Sequence, residues 1–332
     1  MRLKKVLYKI IIMIQKSYTQ ILIVLCVAFL LITQAIFSSL LFDFGEYHIV
    51  DTARLELYPH AADHPHREFM MHVWIPREEH KKVYPLILFS HGLGDSFNGM
   101  SYTQLCEHCA SRGYVVASVS HPYGCKKIQL SDGRVVDYAF PAPFHSKQGR
   151  HMFDVEIDIW MDDMACALDE CMYYNADQTS ALYNTIDFTA VGIMGHSLGG
   201  STAIQLCRRN NNIAAVINLD GPLYGPNCMA PIEQPFMLIA GNCSMSIVPT
   251  HPVLLWRWYF NQFWLPQLTR FMATLPNTVY NVTIDGIVHD MFSDNGLLQD
   301  PTIVPLLIDG NTAHALINFH VDRFFDCYLK HN

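Results

Sequence analysis

The hexapeptide Gly195-His196-Ser197-Leu198-Gly199-Gly200 carries the strongest signal in this chain. It directly follows the apolar run 191–194 and opens a segment with helical patterning. Strand, tight turn and helix form a nucleophile elbow, in which the serine takes a strained conformation. Its neighbours two positions away on each side must then be small, as the glycines are. The hexapeptide therefore predicts that Ser197 is a catalytic nucleophile.

Short apolar runs alternate with helical patterns along the rest of the chain. This alternation predicts βαβ units and a mainly parallel central sheet with helices on both faces. Together with the elbow, it indicates an α/β-hydrolase fold. We expect residues 121–150 to be irregular and to cover the active-site end of the sheet. The predicted strands are 69–75, 85–89, 114–119, 189–194, 213–219, 235–240 and 279–284, and the predicted helices are 102–111, 155–173, 198–209 and 313–328.

The predicted helix 155–173 has apolar residues on one side and acids elsewhere. This pattern is typical of a helix that packs one face on a sheet and leaves the other in water. We therefore expect its acids to form a solvated face: Asp158, Asp162, Asp163, Asp169 and Glu170.

Ser90-His91-Gly92-Leu93-Gly94-Asp95 follows the apolar run 85–89. In this fold, the loop after that early strand supplies one donor to the oxyanion of the reaction, and the residue after the nucleophile supplies the other. The candidate donors are the backbone N–H groups of Leu93 and Leu198.

The acid and the base should follow the nucleophile in the order Ser, Asp/Glu, His. Between Ser197 and Asp285 only Asp220 and Glu233 are acidic, and Asp220 ends a predicted strand whereas Glu233 precedes one. Ligand groups gather at the carboxyl ends of parallel strands, which favours Asp220. His289 follows the last predicted strand and is the candidate base. The rival, His251, lies before a long aromatic segment.

Four motifs come in an order and spacing that match a known family: FSHGLG at 89–94, GHSLGG at 195–200, LDGPLYG at 219–225 and GIVHDMFSD at 286–294. From about residue 69 to the terminal helix, the chain resembles the plasma and intracellular type II platelet-activating factor acetylhydrolases. The resemblance implies a calcium-independent Ser197–Asp220–His289 mechanism with Leu93 and Leu198 as oxyanion donors. It also implies, as substrate, a phospholipid with a short or oxidised sn-2 acyl chain.

The chain departs from this family at two places near the expected acyl and head-group region. Gly221-Pro222 stands where the family tends to have a bulky aromatic residue after the acid, and His121-Pro122-Tyr123 stands where it has His-Arg-Asp. A broader lipase, cutinase-like esterase or polyester hydrolase is therefore an alternative. A catalytically inactive hydrolase fold that serves as a binding module is a second alternative, although such proteins usually lack a triad member.

The N-terminal region reads as a basic lead-in followed by an uncharged apolar run at 21–42, long enough to span a bilayer. All its flanking positive charge is N-terminal, which predicts that the C-terminal body is exported. A signal anchor fits the length of the run, and a cleaved signal peptide fits the small-x-small site Thr33-Gln34-Ala35. We thus divide the chain into residues 1–45 and a catalytic domain at 46–332.

Segment 252–274 is rich in aromatic residues, and Trp256, Trp258 and Phe260 are candidate substrate-binding residues. Such a segment suits an acyl-binding cap or a contact with a membrane or lipid surface. A buried helix covering the sheet is the alternative.

Charge and cysteines limit the other ligands. The first 42 residues carry five positive charges and no acid, so the net charge of −8 leaves −13 for the rest. An acidic body argues against nucleic-acid binding, which needs a basic surface. Cys106 and Cys109 have CxxC spacing, but they fall in a predicted helix and no second pair follows. We therefore expect neither a metal nor an organic cofactor.

Overall fold

The computed structural model describes residues 41–58, 64–77, 83–140, 147–242, 260–276, 278–298 and 308–330. Their central feature is an eight-stranded sheet in the order β1-β2-β5-β3-β8-β9-β10-β11, with a small second sheet of β4, β6 and β7. The strands are β1 (Phe42–Leu55), β2 (His66–Pro76), β3 (Tyr84–Ser90), β4 (Asp95–Phe97), β5 (Val115–Ser120), β6 (Cys125–Gln129), β7 (Val135–Asp137), β8 (Ile186–His196), β9 (Ile213–Leu219), β10 (Phe236–Asn242) and β11 (Val279–Asp285).

Six neighbouring strands of this sheet are parallel: β5, β3, β8, β9, β10 and β11. Strand β2 runs antiparallel to both β1 and β5. The carboxyl ends of parallel strands meet at one edge of a sheet, where open α/β folds bind their ligands. Ser90, His196 and Leu219 end three neighbouring strands at this edge.

Helices cover both faces of the sheet and define two hydrophobic cores. On one face, buried residues of α2 (Lys147–Ala176), α3 (Leu198–Arg209) and α4 (Leu265–Met272) pack together. On the other face, α1 (Thr103–Ser111) and α5 (Gly310–Leu329) do the same. Coverage on both faces explains why the central strands read as nearly continuous apolar runs.

This architecture confirms the α/β-hydrolase fold, and every predicted strand and helix is present, most within three residues of its predicted bounds. The exception is α2, which is 30 residues long and extends beyond the predicted 155–173 at both ends. Short β strands buried on both faces and amphipathic helices give clear sequence patterns, which is why these elements were predictable.

Two parts of the described chain differ from the expectation, and a third agrees with one of its two alternatives. The region 121–150, expected to be irregular, contains β6, β7 and the start of α2. Segment 252–274 contains α4, in which Leu268 and Phe271 are buried, so this part of it is a helix that covers the sheet. β1 was not predicted, and the expected boundary at residue 45 falls within it.

Residues 1–40 of the predicted N-terminal segment lie outside the described residues. Leu41 and Phe42 belong to the fold, since the Leu41 carbonyl accepts a hydrogen bond from the Arg77 N–H at 2.8 Å and Phe42 is buried. None of the described helices is long and apolar enough to cross a membrane. Export and the choice between anchor and signal peptide stay predictions.

Candidate active site

Ser197 sits between β8 and α3 with backbone angles φ 55° and ψ −122°. A positive φ combined with this ψ is rare for a residue with a side chain and requires support from its surroundings. The Ser197 N–H donates to the Leu219 carbonyl at 3.0 Å. A Cβ at Gly195 would lie 2.1 Å from the Gly199 carbonyl oxygen, so the turn closes only around a glycine. The sequence thus forms the elbow that its spacing predicts.

The predicted acid and base lie next to this serine. His289 opens a 3₁₀ helix (His289–Phe292) soon after β11. Its Nε2 is 2.9 Å from Ser197 Oγ, and its Nδ1 is 2.9 Å from Asp220 Oδ2. The Asp220 side chain is fully buried and that of His289 is 12% exposed. The structure therefore brings Ser197, His289 and Asp220 together in one hydrogen-bonded chain.

Asp220 is held by a turn that its neighbours close. Asn218 Oδ1 accepts from the Gly221 N–H at 2.7 Å, and Asp220 has a positive φ of 50°. The Gly241 N–H donates to Asp220 Oδ1 at 3.1 Å, which leaves Oδ2 directed at His289. A Cβ at Gly221 would lie 2.3 Å from the Ser197 carbonyl oxygen. A bulky aromatic residue at position 221 would therefore displace the elbow, which gives the departure from the family pattern a steric reason.

The two predicted oxyanion donors lie on segments that pack directly against each other. A Cβ at Gly199 would meet the Ser90 carbonyl oxygen at 2.0 Å, and one at Gly92 would lie 3.2 Å from Ser197 Cβ. Leu198 is the first residue of α3, so its N–H has no partner within the helix. The loop that contains Leu93 therefore lies beside Ser197.

His196 is part of the packing behind the base. The Gly92 N–H donates to Tyr102 Oη at 3.2 Å, and the Tyr102 hydroxyl is hydrogen-bonded to His196 Nδ1 at 2.7 Å. The His196 ring lies 4.4 Å from that of His289. Burial, and then the nearby His289, lower the pKa of His196 well below its usual value. His196 is therefore neutral and helps to hold His289 in place.

The structure places the rival residues elsewhere or does not describe them. Glu233 is exposed on the loop before β10. His251, Trp256 and Trp258 lie outside the described residues. Phe260 is the first residue of a π-helix (Phe260–Trp264), and only its backbone is described. No group of three or more His, Cys, Asp or Glu residues that could hold a metal occurs in the described ranges.

Two buried polar positions were missed or misassigned from the sequence. Asn218, which closes the turn at Asp220, could have been noticed as a polar residue within an apolar strand. Asp163 was expected on the solvated face of α2, but it is fully buried. It binds Arg67 through two hydrogen bonds and His121 through one. Asp158 and Asp162 do face solvent, where both pair with Arg209.

Comparison with known families agrees with the resemblance seen in the motifs. A family model described as platelet-activating factor acetylhydrolase, isoform II, matches residues 76–124, and one described as PET hydrolase-like matches residues 157–256. In fold, the chain is similar to a ferulic acid esterase from Streptomyces cinnamoneus, with a TM-score of 0.67 and 19% identity over 88% of this chain and 91% of that one.

Curated relatives show the same likeness over most of the chain. Platelet-activating factor acetylhydrolases from Cavia porcellus and Bos taurus are 23% and 26% identical over 73% and 71% of this chain. The chain spans only 59% and 55% of their lengths. A probable 1-alkyl-2-acetylglycerophosphocholine esterase from Arthroderma benhamiae is 24% identical over 42% of this chain and 32% of its own length. The chain thus has an α/β-hydrolase fold and is similar in sequence to the platelet-activating factor acetylhydrolases.

Proposed function

We propose that this protein is a serine esterase whose catalytic triad is Ser197, Asp220 and His289. The continuous hydrogen-bonded chain from Asp220 through His289 to Ser197 Oγ is the observation that carries the proposal. A buried carboxylate that accepts from Nδ1–H keeps Nε2 free to take the serine proton. The elbow places Ser197 at the carboxyl edge of the parallel strands, where open α/β folds bind their ligands.

In the proposed reaction, His289 Nε2 takes the proton of Ser197 as Oγ attacks the ester carbonyl carbon. The N–H groups of Leu93 and Leu198 stabilise the resulting oxyanion. The carbon–oxygen bond to the alcohol then breaks, and the alcohol leaves with the proton that His289 held. Water attacks the acyl-serine by the same route in reverse, which releases the carboxylic acid and restores Ser197. No cofactor is needed for any of these steps.

For the substrate, we propose the sn-2 acetyl or short or oxidised acyl ester of platelet-activating factor and related phospholipids. The four ordered motifs and the names of the relatives support this class. We further propose that the exported protein meets this substrate at a membrane or lipid surface, through the apolar run at 21–42 and the aromatic residues Trp256, Trp258 and Phe260.

A broader esterase or polyester hydrolase is the second candidate. The match of a PET hydrolase-like model to residues 157–256 favours it, because this range includes both the nucleophile and the acid. Gly221, which departs from the acetylhydrolase pattern, directly follows Asp220 and lies against the Ser197 backbone. This departure also favours a different acyl preference.

A substrate panel separates the two candidates. We expect hydrolysis of platelet-activating factor to exceed that of a long-chain phosphatidylcholine and of a triglyceride at least tenfold in kcat/KM, with higher rates on vesicles than on the monomeric lipid. Triglyceride or polyester hydrolysis that equals or exceeds the acetyl phospholipid rate would reject the phospholipid assignment and favour the broader esterase. Equal rates on vesicles and monomers would reject the lipid-surface contact.

A further inference from the structure

We propose that His121 and Asp163 form a buried positioning pair that aims the Leu93 N–H at the reacting oxygen. This inference rests on the proposed function, since it assigns a role to groups behind the proposed oxyanion loop. Neither residue touches the reacting atoms. Their side chains act through Ser90, and the backbone N–H of His121 acts through His91.

A buried chain of hydrogen bonds ends at Ser90, where the loop that contains Leu93 begins. His121, directly after β5, has Nδ1 3.0 Å from Asp163 Oδ2 and Nε2 2.9 Å from Ser90 Oγ. A carboxylate accepts only, so Nδ1 carries the ring hydrogen and donates to Asp163. Nε2 of the neutral ring then accepts from the Ser90 hydroxyl. All three side chains are fully buried, which fixes the last residue of β3 from behind.

The hydrogen bonds to its two ring nitrogens determine the tautomer of His91. The backbone N–H of His121 donates to His91 Nε2 at 2.9 Å, so this nitrogen must be the acceptor. The hydrogen of the neutral ring is therefore on Nδ1, which donates to the Gly92 carbonyl at 2.8 Å. Burial lowers the pKa of His91, which agrees with a neutral ring.

The hydrogen bond from His91 Nδ1 to the Gly92 carbonyl also affects Leu93. The Gly92 carbonyl and the Leu93 N–H belong to the same peptide plane and point in opposite directions across a trans bond. A fixed Gly92 carbonyl therefore fixes the direction of the Leu93 N–H. A carbonyl that accepts a hydrogen bond also polarises its peptide, which strengthens the N–H as a donor.

Two arginines keep Asp163 in place without His121. Arg67 Nη2 lies 2.7 Å from Asp163 Oδ2, and Arg54 Nη2 lies 2.8 Å from Oδ1. The carboxylate therefore stays paired when the imidazole is removed, and a His121 variant leaves no unpaired buried charge. This makes His121 the best position for a test.

Ser90, His121 and Asp163 have the connectivity of a second triad, but their burial excludes that role. Ser90 and His121 are both 0% exposed, so no substrate can reach Ser90 Oγ. Burial lowers the pKa of His121 to about 3, which makes its ring a weak base. Positioning is the function that remains for this chain of hydrogen bonds.

The test compares two His121 variants in the full-length protein. H121N keeps an amide N–H near the place of Nδ1 but cannot reach Ser90, whereas the longer side chain of H121Q can. Removing an oxyanion donor outright costs about 10²–10³ in kcat, so a misdirected donor should cost less. We expect H121N to lower kcat on a short acyl ester about 10- to 100-fold with KM within about twofold, and H121Q to recover most of the loss.

Y114F is the matched control. Tyr114 is also buried and donates to Asp326 Oδ1 at 2.7 Å, but it lies at the start of β5, at the other edge of the sheet. We expect Y114F to lower thermal stability as much as H121N does and to leave kcat unchanged. Hydrogen–deuterium exchange of the peptide that covers 90–94 should accelerate in H121N and not in Y114F.

The outcomes separate this inference from the proposed function. Unchanged exchange at 90–94 in folded H121N, or an unchanged kcat, would overturn the positioning role. Faster exchange in H121N with no ester turnover in the wild type would support the positioning role and reject the esterase. If H121N does not fold, S90A, which removes only the hydroxyl, should lower kcat at least threefold, and an unchanged kcat there would overturn the inference.

Discussion

At the scale of single residues, the site depends on backbone conformations that few side chains adopt. Ser197 and Asp220 both have a positive φ, at 55° and 50°. Such residues cost about 1–3 kcal/mol each and persist only where the surroundings fix them. Here Asn218 and the close approach of Gly195, Gly199 and Gly221 to neighbouring backbone supply that support. The strain directs both side chains toward His289.

Asp220 can be tested against its rival by a pair of substitutions of the same kind. D220N keeps the size of the side chain but removes its charge, so it no longer stabilises the imidazolium of His289. By analogy with other triads, kcat should fall about 10⁴-fold. E233Q removes the other acid between Ser197 and Asp285 and should leave kcat within about twofold. If steady-state assays show the reverse order, the acid has been misassigned.

At the scale of elements, the sequence patterns sufficed to predict which three side chains meet at the elbow, but not the residues behind them. Ser197, Asp220 and His289 each follow a clear strand, and parallel strands bring their carboxyl ends to one edge. β1 was not predicted because it is an edge strand with many polar residues, such as Glu46 and His48, and only a weak apolar alternation.

The burial of Asp163 could not be predicted from the helical pattern of the sequence. Helical periodicity separates an apolar face from a polar one, but it cannot say which of two adjacent acids meets a buried arginine. Asp162 faces Arg209 at the surface, and Asp163 faces Arg67 from β2 in the interior. That difference depends on how α2 packs over the sheet, which is tertiary information. The same holds for His121, whose two partners come from β3 and α2.

At the scale of the whole molecule, buried neutral histidines should set the acid stability. Burial lowers the pKa of four of them below 6.5, in the case of His121 to about 3: His72, His91, His121 and His196. Below pH 6.5 the unfolded chain takes up protons that the folded protein does not. Stability is therefore fully present above pH 6.5 and is lost as the pH falls toward the folded-state values.

Urea unfolding between pH 7.5 and 4.5 measures this effect. Below pH 6.5, the free energy of unfolding should fall by up to about 1.4 kcal/mol per pH unit for each histidine that stays neutral. H121Q removes one of these groups and should flatten the slope by about that amount. A free energy of unfolding that is constant or rises on acidification would show that these rings are not held neutral.

Every step of the proposed reaction requires Ser197 as the nucleophile, and covalent labelling identifies the nucleophile. Treatment of the full-length protein with a fluorophosphonate, followed by peptide mass spectrometry, should place a single adduct on Ser197. S197A should remain unlabelled and lose nearly all hydrolysis of short p-nitrophenyl esters. An adduct on another residue, or S197A that hydrolyses these esters at the wild-type rate, would show that Ser197 is not the nucleophile.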